Sequence, residues 1–224
     1  MVLASILWVG PAAADAVADC DSGNPPARVI AGCTTLIERG IASDRNRSVA
    51  HYNRGRAYMI DGQYRAAVAD FDRALEARPR NGDTHYMRGL AFSYLEERAA
   101  AEAAYTEAIR HDPANHWSWY NRGLTRFQRG NLDGALTDYN EALARNPRNP
   151  YAQQARGRVR CRMGDRAGAA EDYRAAAARG AIDVAPLQQM LATLGLYEGA
   201  VDGLYGPMTA GAIDAWAATG CPGA

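Results

Sequence analysis

Histidine and cysteine are the side chains of this 224-residue sequence best suited to nucleophilic, acid–base or metal chemistry, and there are four of each. His51 and His85 occupy equivalent positions of an internal repeat, near a helix crossing. They read as partly buried packing residues. His111-Asp112 and His116 read as members of one exposed loop. The sequence contains no C-x-x-C or H-E-x-x-H metal motif, no serine nucleophile elbow and no glycine-rich phosphate loop. Every basic residue is Arg, which excludes a Schiff-base lysine, a P-loop lysine and a lysine general base. Carboxylates abound, but a glycosidase pair needs a cleft that raises one pKa, and no stretch signals one. The expectation is a non-enzyme with no catalytic residue, no metal site and no cofactor, folding without a divalent metal or a nucleotide. Twenty-five basic residues balance 25 acidic ones. That argues against a nucleic-acid binder, which needs a basic surplus to displace counterions.

The cysteines are Cys20, Cys33, Cys161 and Cys221. An even count suits disulfides if the chain is exported, and four cysteines allow three pairings. Cys20 and Cys33 lie close together across a Gly-Asn-Pro-Pro turn, and Cys161 with Cys221 is the complementary pair. Residues 1–14 combine an apolar run, Val2 to Val9, with an Ala12-x-Ala14 pattern ahead of Asp15. The run is too short to span a bilayer and resembles a secretory signal peptide. No Arg precedes Arg28, so a positive leading region is missing and the true start is open. Export to the periplasm is the expectation. A lipid anchor on Cys20 is disfavoured by Asp19 beside it.

The elements that position these residues follow from one repeating period. Gly55, Gly89, Gly123 and Gly157 are evenly spaced, and each follows an Arg: Arg54, Arg88, Arg122 and Arg156. Small residues recur at Ala67, Ala101, Ala135 and Ala169, and aromatics at Phe71, Tyr105, Tyr139 and Tyr173. A second small residue follows at Ala74, Ala108, Ala142 and Ala176, and Pro79, Pro113 and Pro147 close three copies. Small residues allow helices to cross closely, and proline ends a helix. An alanine content of about a fifth favours helix. This pattern resembles the tetratricopeptide repeat, a helix–turn–helix unit that stacks into a solenoid. The repeats are set at 48–81, 82–115, 116–149 and a degenerate 150–182, in which Ala181 replaces the closing proline. Residues 20–47 read as a half-repeat cap. The second copy has Glu96 where the others have Gly62, Gly130 and Gly164, so its turn is expected to differ. Asp70, Asp138 and Asp172 stand at one shared offset after Arg54, Arg122 and Arg156, which predicts ion pairs within each hairpin. Arg88 faces Ala104 and is expected to lack that partner.

In that family the first helix of each repeat lines a concave groove. The resemblance places Tyr52, Arg56, Met59, Tyr86, Leu90, Trp117, Tyr120, Phe127 and Arg158 there, a composition suited to a protein or peptide partner. The lysine clamp that some cytosolic relatives use for a C-terminal carboxylate is missing. After Gly180 the composition shifts. Leu187-Gln188, Leu191, Gly195, Asp202-Gly203, Gly206-Pro207 and Thr209 resemble, in order and spacing, the small helical peptidoglycan-binding domain. Trp216 stands for the usual Phe and reads as core. The resemblance places any wall contact at Tyr197, Asp202, Tyr205 and Thr209, in a module over 183–224. The implied fold is all-α: a tetratricopeptide solenoid followed by this module. The implied function is a non-catalytic periplasmic adaptor between a protein partner and peptidoglycan, with no transmembrane segment. An accessory or enzyme of wall remodelling with an unseen active site, and a cytosolic interaction protein, remain open at this level.

Overall fold

The computed structural model describes residues 11–21, 23–41, 43–180 and 182–223, with side chains from Asp15 onward. Residues 1–10 of the expected leader and Ala181 lie outside the described residues. The described residues are helices and turns without a strand. They form two compact units, Met1–Asp112 and Pro113–Ala224.

In the first unit, α1 (Pro11–Asp19) and α2 (Pro26–Glu38) precede two hairpins. These are α3 (Asp44–Ile60) with α4 (Tyr64–Ala77), and α5 (Gly82–Tyr94) with α6 (Arg98–His111). The cap is larger than a half-repeat. Helix α1 packs on α2 so closely that a Cβ on Gly32 would lie 2.6 Å from the Asp19 Cβ. Cys20 and Cys33 are disulfide-bonded across this crossing, with Cα atoms 4.6 Å apart. The second unit repeats the hairpin in α7 (His116–Gln128) with α8 (Leu132–Arg145), and in α9 (Pro150–Met163) with α10 (Arg166–Ala178). Helices α11 (Val184–Thr193) and α12 (Pro207–Ala218) complete it.

The period is visible in the packing. Phe71, Tyr105 and Tyr139 are buried, and each contributes about 1.5–3 kcal/mol by leaving water. Each ring edge lies where the Cβ of the partner glycine would be: 2.7 Å at Gly55, 2.6 Å at Gly89 and 2.9 Å at Gly123, with Tyr173 at 2.8 Å from Gly157. The helix starts repeat too. Asn81, Asn115 and Asn149 accept a backbone N–H of the first turn of α5, α7 and α9, as Ser43 does for α3.

The turn between α5 and α6 corrects the sequence expectation. Glu96 adopts φ 59°, the left-handed conformation that Gly62, Gly130 and Gly164 take at 74°, 80° and 82°. The closing bond from Glu97 N–H to the Phe92 carbonyl matches that from Asn131 N–H to the Arg126 carbonyl. The hairpin geometry is imposed by the packed helices, so Glu96 takes the strained conformation rather than changing the turn.

Candidate functional site

Each repeat is held by an arginine–aspartate pair between its helices or to its neighbour. Asp70 accepts from Arg54 Nε (2.7 Å) and Nη2 (2.8 Å), and the His51 imidazole Nδ1 lies 2.8 Å from its Oδ1. Burial pushes the Asp70 carboxyl up, but the bonds from Arg54 and His51 outweigh it and hold it below the ordinary carboxylate range. Asp138, fully buried, accepts from Arg122 and from Arg126 Nη1 at 3.0 Å. Asp172 accepts from Arg156 and from Arg160 Nη1 at 2.8 Å. Arg88 lacks that partner, as expected, and instead its Nη1 donates to Asp72 at 2.7 Å. Asp72 precedes it in the chain, on the second helix of the preceding repeat. Arg156 reaches back by the same offset to Asn140 at 2.9 Å. Arg156 therefore bonds both within its hairpin and to the preceding one, and Arg88 keeps the second link.

A second register position ties three of the four hairpins to the proline that precedes them. His85 Nε2 meets the Pro79 carbonyl at 2.9 Å, Trp119 Nε1 donates to the Pro113 carbonyl at 3.0 Å, and Gln153 Nε2 to the Pro147 carbonyl at 3.4 Å. His51 and His85 are buried, as the packing reading requires. His111 is the last residue of α6 rather than a loop residue, because Asp112 is the first position to leave the helix. Its ring stacks on that of His85 with centroids 5.4 Å apart. One ligating atom from each of His85, Glu107 and His111 lies within 4.8 Å of the others. Sequence reasoning missed this cluster, because its members lie on two different helices and each fits a bland role alone.

The residues expected to line a groove divide between the units. In the first, Tyr52 and Tyr86 are half-buried and lean on Phe71 and Tyr105, centroids 6.0 and 6.1 Å apart. The Arg56 guanidinium lies 5.9 Å from the Tyr52 ring. Met59 packs in the same cluster, and Leu90 is half-buried. In the second unit, Tyr120 repeats the arrangement on Tyr139 at 5.8 Å. Phe127 is buried, with the Arg158 and Arg162 guanidinia 5.4 and 4.6 Å from its ring centre. Trp117 stands edge-on to Tyr120 at 5.7 Å and faces Tyr151 at 6.2 Å. Tyr151, 53% exposed, was not among the expected groove residues, although it stands one full period after Trp117.

In the C-terminal module the expected contact residues separate into two kinds. Tyr197 and Thr209 are buried. Both bond to the side chain of buried Gln188, at 3.0 and 3.2 Å. Gln188 also holds Asp202 at 2.9 Å, and its Oε1 accepts the Asp202 and Gly203 backbone N–H groups. The Asp202 carboxylate is exposed, and the bonds from Gln188 and Leu204 N–H hold its pKa down. Gln188 is thus the pin of the D-G-x-x-G-P loop. Outside the pin, Leu204 and Met208 are exposed and Tyr205 is half-exposed beside Asp202. Trp216 is core: 1% exposed, edge-on to Tyr173 at 4.7 Å, with Nε1–H donated to the Pro222 carbonyl.

This architecture is an all-α set of tetratricopeptide hairpins followed by a peptidoglycan-binding-like module. Residues 48–81 and 86–150 match tetratricopeptide repeat families, and residues 181–216 match the putative peptidoglycan binding domain family. Among solved structures the chain is similar to MamA 41-end from Desulfovibrio magneticus RS-1, at 21% identity and TM-score 0.65 over 74% of this chain and 93% of that one. It is also similar to YrrB, described as a tetratricopeptide protein with an unusual peptide-binding site, at 24% identity and TM-score 0.64 over 76% and 86%. The first such domain of Spaghetti (RPAP3), solved with an HSP90 peptide, matches at 24% identity and TM-score 0.53 over 55% and 98%. No curated protein matches the sequence.

Proposed function

We propose that this protein is a non-catalytic adaptor of the bacterial periplasm. Its repeats hold a peptide or protein partner, and its C-terminal module contacts peptidoglycan. The observation that carries the reading is a set of half-open tyrosines on the first helices, joined in one chain to a peptidoglycan-binding-like module. Tyr52, Tyr86 and Tyr120 each rest on a buried aromatic and stay half-buried, an amphipathic surface of the kind that grips peptides at small entropic cost. Arg56 and Arg158 add cationic and stacking contacts to the same faces. Relatives of this fold hold peptides in YrrB and in the Spaghetti domain. The leader-like residues 1–14 and two disulfides support an oxidising compartment. At the wall, the presented groups are Asp202, Leu204, Tyr205 and Met208, on a loop fixed by Gln188 and by buried Tyr197 and Thr209.

A photo-crosslinking amino acid at Tyr151, compared with one at exposed Thr137 on α8, tests the partner surface in intact cells. The reading expects an adduct from position 151 in the periplasmic fraction and none from position 137. Equal adducts from both positions, or recovery of the chain only in the cytosol, would overturn it.

A further inference from the structure

We infer that His85, Glu107 and His111 form a binding site for one divalent transition-metal ion of the zinc class. The three side chains come from the two helices of one hairpin. Glu107 and His111 are one turn apart on α6, so they share a face. His85 on α5 lies opposite. One ligating atom from each falls within 4.8 Å of the others, and His111 Nε2 stands 3.7 Å from Glu107 Oε2. Zinc binds imidazole nitrogen, in the ring plane, and carboxylate oxygen at about 2.0–2.2 Å, so the set is completed when the His111 ring turns out of its near-parallel stack on His85 and Glu107 swings toward it.

The hydrogen bonding of the rings points to a ligand. His85 Nε2–H donates to the Pro79 carbonyl, which leaves the lone pair on Nδ1. That is how the rings of metal-ligating histidines are ordinarily fixed, with the distal N–H tied to a backbone carbonyl. His85 Nδ1 and His111 Nε2 are both buried and have no hydrogen-bond partner. Two orphaned nitrogens in one packed hairpin are costly, and one cation would satisfy both.

The next repeat shows what belongs in this space. The positions equivalent to His85, Glu107 and His111 are Trp119, Glu141 and Arg145, each one period on. There the Arg145 guanidinium lies 4.4 Å from the Trp119 ring and bonds Glu141 at 2.5 Å. A cation between ring and carboxylate is therefore built into the repeat. In the second repeat the arginine is replaced by a second imidazole, and the ring by one with a lone pair. The carboxylate Glu107 remains; its Oε2 accepts from Arg110 Nε and Nη2, which leaves Oε1 for an ion. Two imidazoles and a carboxylate select Zn²⁺, Ni²⁺, Co²⁺ or Cu²⁺ over Mg²⁺ or Ca²⁺, which prefer all-oxygen sets.

The test is titration of the untagged, disulfide-bonded full chain with Zn²⁺ by calorimetry and with Co²⁺ by visible absorption. The inference expects one saturable ion per chain and Co²⁺ bands from a low-coordinate nitrogen–oxygen site. Affinity should fall at least about 10-fold in His111→Gln and in Glu107→Gln, since even loss of a supporting partner has that effect. Glu107 sits on the surface, so its variant keeps the fold if the buried His85→Gln variant does not. His51→Gln should bind as the parent does. Absence of saturable Zn²⁺ binding would overturn the inference, as would affinity unchanged in His111→Gln and Glu107→Gln.

Discussion

At the scale of single residues the repeat is a set of positions with fixed jobs, and the exceptions are informative. Glu96 performs a glycine's job in the left-handed region, which costs a residue with a Cβ about 1–2 kcal/mol. Its ion pair with Arg98 at 3.6 Å is exposed and offsets little. Glu96→Gly should therefore raise unfolding free energy by about 1 kcal/mol in urea melts. A lower midpoint would show that Glu96 has a stabilising partner outside the turn. Asp70 sets an acid limit. Its folded-state pKa lies below the ordinary 3.8, so its contribution is present above that value and is lost as pH falls through the folded one. Asp70→Asn should lower stability at pH 7 and flatten the stability–pH slope below about pH 4. An unchanged slope would mean that other carboxylates govern acid unfolding. Asp138 is the stronger test of burial. Removing it leaves two arginines facing each other, and Asp138→Ala should cost about 3–5 kcal/mol. Asp72→Ala, with its half-exposed carboxylate, should cost less than about 1 kcal/mol.

At the scale of the helical hairpin, the glycine–aromatic crossing is the unit of assembly. Gly89→Ala would place a methyl 2.6 Å from the Tyr105 ring, so the helices must part. A loss of about 1–3 kcal/mol is expected in thermal or urea unfolding, with helix propensity pulling the other way. A stabilised variant would mean the crossing has slack. This level was the most legible in the sequence. The period, the small residues, the aromatics and the helix-ending prolines all report local sterics, and local sterics recur at a fixed spacing. The arginine–aspartate pairs were legible for the same reason. The Arg88–Asp72 bond was not, because it runs backward to a neighbouring repeat whose placement only stacking fixes. Gln188 was read as part of a resemblance, and its role as the pin of a loop further along the chain depends on how that loop folds. The histidine cluster was hidden by distance along the chain. Tyr151 carries a signal in the sequence, standing one full period after Trp117.

At the scale of the whole molecule, the C-terminal module is continuous with the last repeat. Trp216, Ile213, Leu191 and Leu187 share one apolar core with Tyr173, Ala169 and Ala177. Arg174 pairs with Asp214 at 2.5 Å, and Arg166 Nη1 donates to the Ala218 carbonyl at 2.8 Å. The Cys161–Cys221 bond, Cα atoms 5.9 Å apart, closes a long loop across this junction. A repeat with an uncovered end exposes its apolar face, and here the module supplies the cover. Paired Cys161→Ser and Cys221→Ser substitutions should cost roughly 4 kcal/mol in the loop-entropy account. They should lower the melting midpoint of α9 to α12, read by hydrogen exchange. Equal protection in the paired variant would show that packing alone holds the module.

The adaptor reading is tested most directly by sedimenting the oxidised full chain with purified peptidoglycan sacculi while assaying the supernatant for released muropeptides. The protein should pellet with the sacculi and release nothing. A Leu204→Ala, Tyr205→Ala variant with unchanged helical signal should stay in the supernatant. A folded parent protein that remains in the supernatant, or a pellet from which muropeptides are released, would contradict it.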